Sequence, residues 1–208
     1  MTRALSREES KLVTRHRLLE AAARILSEEG YGKLSAAAVA RAAGIAQPTF
    51  YVHFSDKDDL VRTLAREKLE ALRRPLKEAR ARVVGGHGIE ALRDTFRLPL
   101  RALLDHPALF RLYVQEAHQP GSPFADEAKK LARELEDDLV EDLIAGGAPA
   151  STPAERDRLC MIAESMITLT ETLGLGYLDG KYGDIERVVD VLTDFALGAI
   201  GALPRSAS

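Results

Sequence analysis

The chain has 208 residues, 46% of them hydrophobic and 29% charged, with a formal net charge of −3. That length allows one or two domains around a real core, and that balance excludes a disordered chain. A lone cysteine, Cys160, excludes an intramolecular disulfide and a cysteine-based zinc cluster, and the absence of Asn excludes N-glycosylation.

Residues 1–10 are charged and lack an apolar stretch, and no unbroken apolar run of 18 residues occurs. The expectation is therefore no signal peptide, no membrane span and a cytoplasmic location. Charge is unevenly spread. Residues 1–80 hold 16 Lys and Arg against 11 Asp and Glu, whereas residues 81–208 hold 13 against 21. A basic first part joined to an acidic remainder points to two tasks, with the basic part facing a polyanion.

Helical periodicity runs through the chain and no stretch alternates as a strand would, so the fold class is all-α with about nine helices. The first helix reads from Arg7 to Glu29, with Leu18, Ala22, Ile25 and Leu26 on one face and Gly30 ending it. Ser35 caps a small-residue segment over 36–43, Gly44 makes a turn, and a short segment follows over 46–54. A long helix starts near Asp56 and runs toward Arg74, where Pro75 should kink or end it. Beyond a Gly-rich connection at 83–88, helices are expected over 89–104 (bent at Pro99), from Pro107 to about His118, over 124–144, from the Thr152 cap to about Leu178, and over 185–203. Residues 119–123 read as a loop.

The informative stretch is 35–57, SAAAVARAAGIAQPTFYVHFSDK. Two short helices joined by a glycine turn form the helix-turn-helix pattern. Ala36, Ala37, Ala40 and Ala43 are small enough for two helices to cross closely, and Val39, Ile45, Phe50 and Phe54 bury one face of each. Gln47, Thr49, Tyr51 and His53 then point outward. Gln can bond a base edge bidentately and the Thr methyl can meet a thymine methyl. Tyr51, His53 and Lys57 suit phosphate oxygens, as do the free N–H groups at Ser35. Arg3, Arg7, Lys11, Arg15 and Arg17 read either as a basic arm on phosphates or minor groove, or as a solvated charge run.

These residues carry a family resemblance. Arg17-Leu-Leu-Glu-Ala-Ala22, Gly30-Tyr31, Val39-Ala-Arg-Ala-Ala-Gly44-Ile45, Phe50-Tyr51-Val52-His53-Phe54 and Ser55-Asp-Lys57-Asp-Asp-Leu60 together resemble the TetR family of transcriptional regulators over about fifty residues in register. The resemblance implies a helix-turn-helix DNA-binding domain over 11–71 and a ligand-binding and dimerisation domain over 72–205. It also implies a repressor released from a palindromic double-stranded operator by a small molecule. A DNA-binding occlusion protein without small-molecule input is the alternative. Ser35, Gln47, Pro48, Thr49, Tyr51, His53 and Lys57 are the implied DNA contacts. Ala46 stands where Ser or Thr commonly caps the reading helix, and Val52 replaces a frequent aromatic, so no phosphate contact carries over there.

In the second part, Phe96, Leu100, Phe110, Tyr113, Phe124 and Met166 are candidate lining for an effector, with a plain packed core as the alternative. Arg93, Arg97 and Arg101 form an i,i+4 row that should either pair with Glu134, Asp138 and Asp142 or make a wall for an anion. The expected effector is accordingly apolar or acidic-amphipathic. Leu173, Val188, Leu192, Phe195 and Ala199 are the expected homodimer seam, in a four-helix bundle across a two-fold axis, with an intrachain core as the competing account. The five histidines form no HExxH and no cluster with Cys or Asp, and Cys160 lies on a face expected to be buried. No enzymatic activity, metal or cofactor is expected.

Overall fold

The computed structural model describes residues 6–117 and 125–203, all helical in architecture, with no strand among them. The helices are α1 (Arg7–Glu29), α2 (Ala36–Ala42), α3 (Gln47–His53), α4 (Lys57–Val84), α5 (Gly88–Asp105), α6 (Pro107–Ala117), α7 (Ala125–Ala145), α8 (Pro153–Leu178) and α9 (Ile185–Gly201), with a 3-10 turn at Tyr31–Lys33. The loop expected at 119–123, and with it Phe124, lies outside the described residues.

Local chemistry sets the helix ends. α1 begins in a capping box, where the Ser6 hydroxyl accepts from the Glu9 amide and the Glu9 carboxylate accepts from the Ser6 amide. Thr152 and Glu155 repeat the device at α8. The Asp56 carboxylate accepts from the Asp59 amide to open α4. Gly30 and Gly44 take φ of 80° and 66°, the left-handed region that a side chain disfavours.

The chain divides into two compact units: 1–67 with 106–127, and 68–105 with 128–208. The first is built on Leu18, Ala22, Leu26, Val39, Phe50, Phe54, Leu60 and Leu64, with Leu109 of α6 in the same cluster. The second is built on Leu92, Phe96 and Leu100 of α5, Met166 of α8, and Val188, Val189, Leu192 and Ala196 of α9.

Several expectations are corrected. Pro75 neither ends nor interrupts α4, which runs through it to Val84. Proline removes one N–H from the ladder, but α7 grips this helix on both sides of the gap. Arg73 clasps Asp138 with Nε and Nη2 at 2.9 and 2.8 Å, and Arg80 pairs with Asp142. These pairs also take the acidic row Glu134, Asp138 and Asp142 away from α5, since Glu134 lies 3.6 Å from Arg73. Cys160 is exposed, not buried. α8 also contains an 18-residue window apolar and long enough to cross a membrane, and only 22% of it is buried. Its Gly and Thr residues dilute the apolar pattern that the eye seeks.

Arg93 and Arg97 find their partners on α9. Arg97 donates to Glu186 from Nε at 3.0 Å and Nη2 at 2.8 Å, while Arg93 reaches Glu186 at 3.2 Å and pairs with Asp190. The anion wall is thereby corrected at two of its three arginines, whose charge is matched inside the chain. Hydrogen bonds from Arg97, then Arg93, lower the Glu186 carboxyl from 4.5 to about 2. A depressed carboxyl contributes stability that is fully present above pH 4.5 and fades as pH falls toward 2. Glu186 is partly exposed, so solvent screens the pair to about 1 kcal/mol. Glu186→Gln should therefore lower the melting temperature at pH 7 by about 2–4 °C. In thermal scans at pH 2 the variant and the parent should melt together.

Candidate nucleic-acid interface

α3 is a two-turn helix held from behind. Phe50 is fully buried and Phe54 nearly so, their ring centroids 5.8 Å apart. Val39 and Ala40 of α2, with Ala43 at its C-cap, complete that buried side. The α2 end is tied to α1 by two arginines: Arg17 Nη2 donates to the Ala43 carbonyl at 2.7 Å and Arg24 Nη2 to the Ala42 carbonyl at 3.2 Å. Both complement the negative helix terminus. Arg17 is thus a capping residue rather than part of a basic arm. Arg15 pairs with Glu67 and its guanidinium stands over the Phe54 ring at 5.6 Å. Arg7 and Lys11 are the exposed cations left on that stretch of α1, and Arg3 lies outside the described residues.

The exposed side of α3 carries Gln47, Pro48, Tyr51 and Val52, with Tyr51 56% and Val52 66% exposed. Thr49 and His53 are half-buried. His53 has its Nδ1 fully buried and without a partner. Burial first, then the nearby charges of Lys11 and Arg15, lowers its pKa below 6.5, so the ring is neutral at pH 7. Lys57 is half-buried with its ammonium 4.2 Å above the Tyr31 ring, whose hydroxyl donates to Asp58. Ser35 is exposed and its hydroxyl accepts from the Ala38 amide at 3.1 Å, so its side chain already serves as a cap. Ala46, at the α3 N-cap, makes no side-chain bond, and Pro48 supplies a preset φ in the first turn.

The structure brings Gln47, Pro48, Thr49, Tyr51 and His53 together on one short helix, with Ser35 and Lys57 in the same unit. Val52 is not among the expected contacts. Its signal is the helical angle, since residue 52 sits 200° around from buried Phe50.

The candidate lining is not one set. Phe96, Leu100 and Met166 are buried together in the core of the second unit. Phe110 and Tyr113 are half-buried on α6, in the first unit. The expected seam is corrected in part. Val188 and Leu192 are buried among Leu92, Phe96 and Leu100, and Leu173 packs against the same cluster, because the apolar stripe of α9 serves the chain's own core. Phe195 is 59% exposed and Ala199 half-buried.

The profile for bacterial regulatory proteins of the tetR family matches residues 18–64. An uncharacterized HTH-type transcriptional regulator from Haemophilus influenzae is 32% identical over 192 residues, covering 89% of this chain and 90% of that protein. Among solved structures, a TetR-family transcriptional regulator from Syntrophomonas wolfei superposes with a TM-score of 0.73 at 18% identity, covering 92% of this chain and 97% of its own. The fatty acid degradation regulator FadR from Bacillus halodurans gives 0.66 at 18% identity, covering 93% and 97%.

Proposed function

Because this chain belongs to the TetR family of helix-turn-helix transcriptional regulators, we propose that it is a cytoplasmic homodimeric repressor that leaves a palindromic operator when a small molecule binds. The observation that carries the reading is α3: two turns anchored by Phe50 and Phe54, with Gln47 and Tyr51 turned to solvent. Such a helix fits a B-DNA major groove. In this reading Gln47, Pro48 and Thr49 face base edges, while Ser35, Tyr51, His53 and Lys57 face phosphates. On the same reading the head covers 11–71 and the regulatory part 72–205, with 106–127 of the latter packed in the compact unit that holds the head.

The dimer seam is assigned to the sides of α8 and α9 that their own core leaves open. On α8, Met161, Ser165, Thr168 and Thr172 recur at helical spacing and are exposed or half-buried. On α9, Val191, Phe195 and Gly198 are exposed at the same spacing, and a methyl at Gly198 would meet nothing within 4 Å. Two such helices per subunit would bury a strip of small hydroxyl and apolar residues across a two-fold axis. That accounts for the apolar, little-buried window of α8 without a membrane. The effector is assigned to the apolar core beside Phe96, Leu100 and Met166. With Arg93 and Arg97 matched by carboxylates, apolar surface is what favours its binding there.

The test is binding to duplexes enriched from a random library by the full-length protein. Gln47→Ala should relax preference at one base pair per half-site by about 1–3 kcal/mol. Lys57→Ala should weaken binding to every duplex and flatten the plot of log affinity against log salt by about 0.9 per half-site, about 1.8 for the dimer. If the library yields no preferred sequence, or all variants bind as the parent does, the groove assignment is wrong.

A further inference from the structure

Base readers need side chains that reach a groove, and here the supply of hydrogen-bonding ones is small. On α2, the exposed residue of the first turn is Ala37, beside half-buried Ala36. Neither carries a donor or acceptor beyond its backbone. On α3, exposed Ala46 and Pro48 add none, Thr49 is half-buried, and Tyr51 flanks the ridge. That leaves Gln47 as the exposed side chain with amide chemistry for a base edge.

Val52 occupies the outermost position of the same helix, opposite Phe50. Folding does not ask for valine there. It is β-branched, in a two-turn helix whose N-cap makes no side-chain bond, and a straight-chain polar residue would form the helix better in water. The same unit carries the exposed cations Arg7, Lys11 and Arg41, which suit a phosphate backbone and ill suit an apolar protein surface. An apolar, branched side chain exposed on the reading helix of a unit that carries exposed cations matches one feature of the major groove: the thymine C5 methyl.

Resting on the DNA-reading role argued above, we propose that Val52 contacts the C5 methyl of one thymine in each operator half-site, so that methyl packing adds a second, weaker base preference beside the Gln47 contact. Gln47 then supplies a single polar contact per half-site. Readout through a methyl group favours T over C by added apolar packing, and no hydrogen-bonding group is stranded when C takes its place. Mismatches at that position are therefore tolerated better than at the Gln47 position.

The experiment uses the enriched duplex with each thymine replaced in turn by deoxyuridine, which deletes only the methyl group. The parent protein should lose about fourfold in affinity per half-site at one symmetry-related thymine, the worth of one buried methyl. Val52→Ala should bind the unmodified duplex about as weakly as the parent binds the uracil duplex, and should lose nothing further on uracil. A uracil scan that is flat for the parent, or equal losses in Val52→Ala and parent, overturns the proposal while leaving sequence-selective binding intact. A library that yields no preferred duplex overturns both this proposal and the DNA-reading role beneath it. Val52 is exposed, so circular dichroism of Val52→Ala should match the parent.

Discussion

Phe195→Glu should leave each chain folded and take the dimer apart. The side chain is 59% exposed on a single subunit, and surface substitutions of that kind change folding stability by about 0.5 kcal/mol or less. In the proposed two-fold dimer the same change would place two carboxylates near one another in a desolvated strip, and an uncompensated buried charge costs about 3–5 kcal/mol. A factor of about 100 or more in the dimer dissociation constant follows. Sedimentation at micromolar concentration should show monomers, and circular dichroism at about 25 °C should show the parent's helix content, with a thermal transition lowered only by the lost association. Operator affinity should fall with it, because a lone reading helix holds one half-site. A Phe195→Glu protein that sediments as a tight dimer would remove α9 from the seam.

Leu192→Glu, one turn away, should do the opposite and unfold the second unit. Leu192 is 2% exposed and shares a cluster with Leu92, Phe96, Leu100 and Val189. Losing a buried leucine costs about 2–5 kcal/mol, and the carboxylate adds its own desolvation. That sum rivals the entire stability of an ordinary domain, about 5–15 kcal/mol. Circular dichroism should show helix loss or a transition lowered by more than about 10 °C. A folded, monomeric Leu192→Glu protein would mean that this side chain faces a partner after all.

These two neighbours show what the sequence can and cannot say. Helix boundaries are legible because caps are local: Ser6, Ser35, Thr152 and Gly30 act within a turn or so of themselves. The helix-turn-helix is legible because Phe50, Phe54 and Gly44 have few other uses at that spacing. The seam is harder, because a periodic apolar stripe reports burial and not the identity of what buries it. Val188 and Leu192 carry the strongest stripe of α9 and spend it inside the chain, whereas the open side is mixed with Asp194 and Gly198. The arginine row escapes a local reading for a similar reason. Its partners, Glu186 and Asp190, lie about ninety residues away, where no local rule reaches. Pro75 misleads because a proline's local cost is visible in the sequence, while the ion pairs that α7 adds on either side are not.

One close approach bears on how an effector could act. A methyl group added at Gly174 of α8 would lie 2.6 Å from Leu103 Cδ1 and 3.2 Å from Leu100 Cδ2 of α5. The two helices are therefore close at that level, and in the proposed effector site a molecule entering between Gly174 and Leu100 would act as a wedge. Its entry does mechanical work on the bundle, so part of its gross attraction is converted into displacement of α5 against α8 and is missing from the measured affinity. Recognition and movement then become a single event: a compound too slight to part the helices cannot bind there, and one that binds has already moved them.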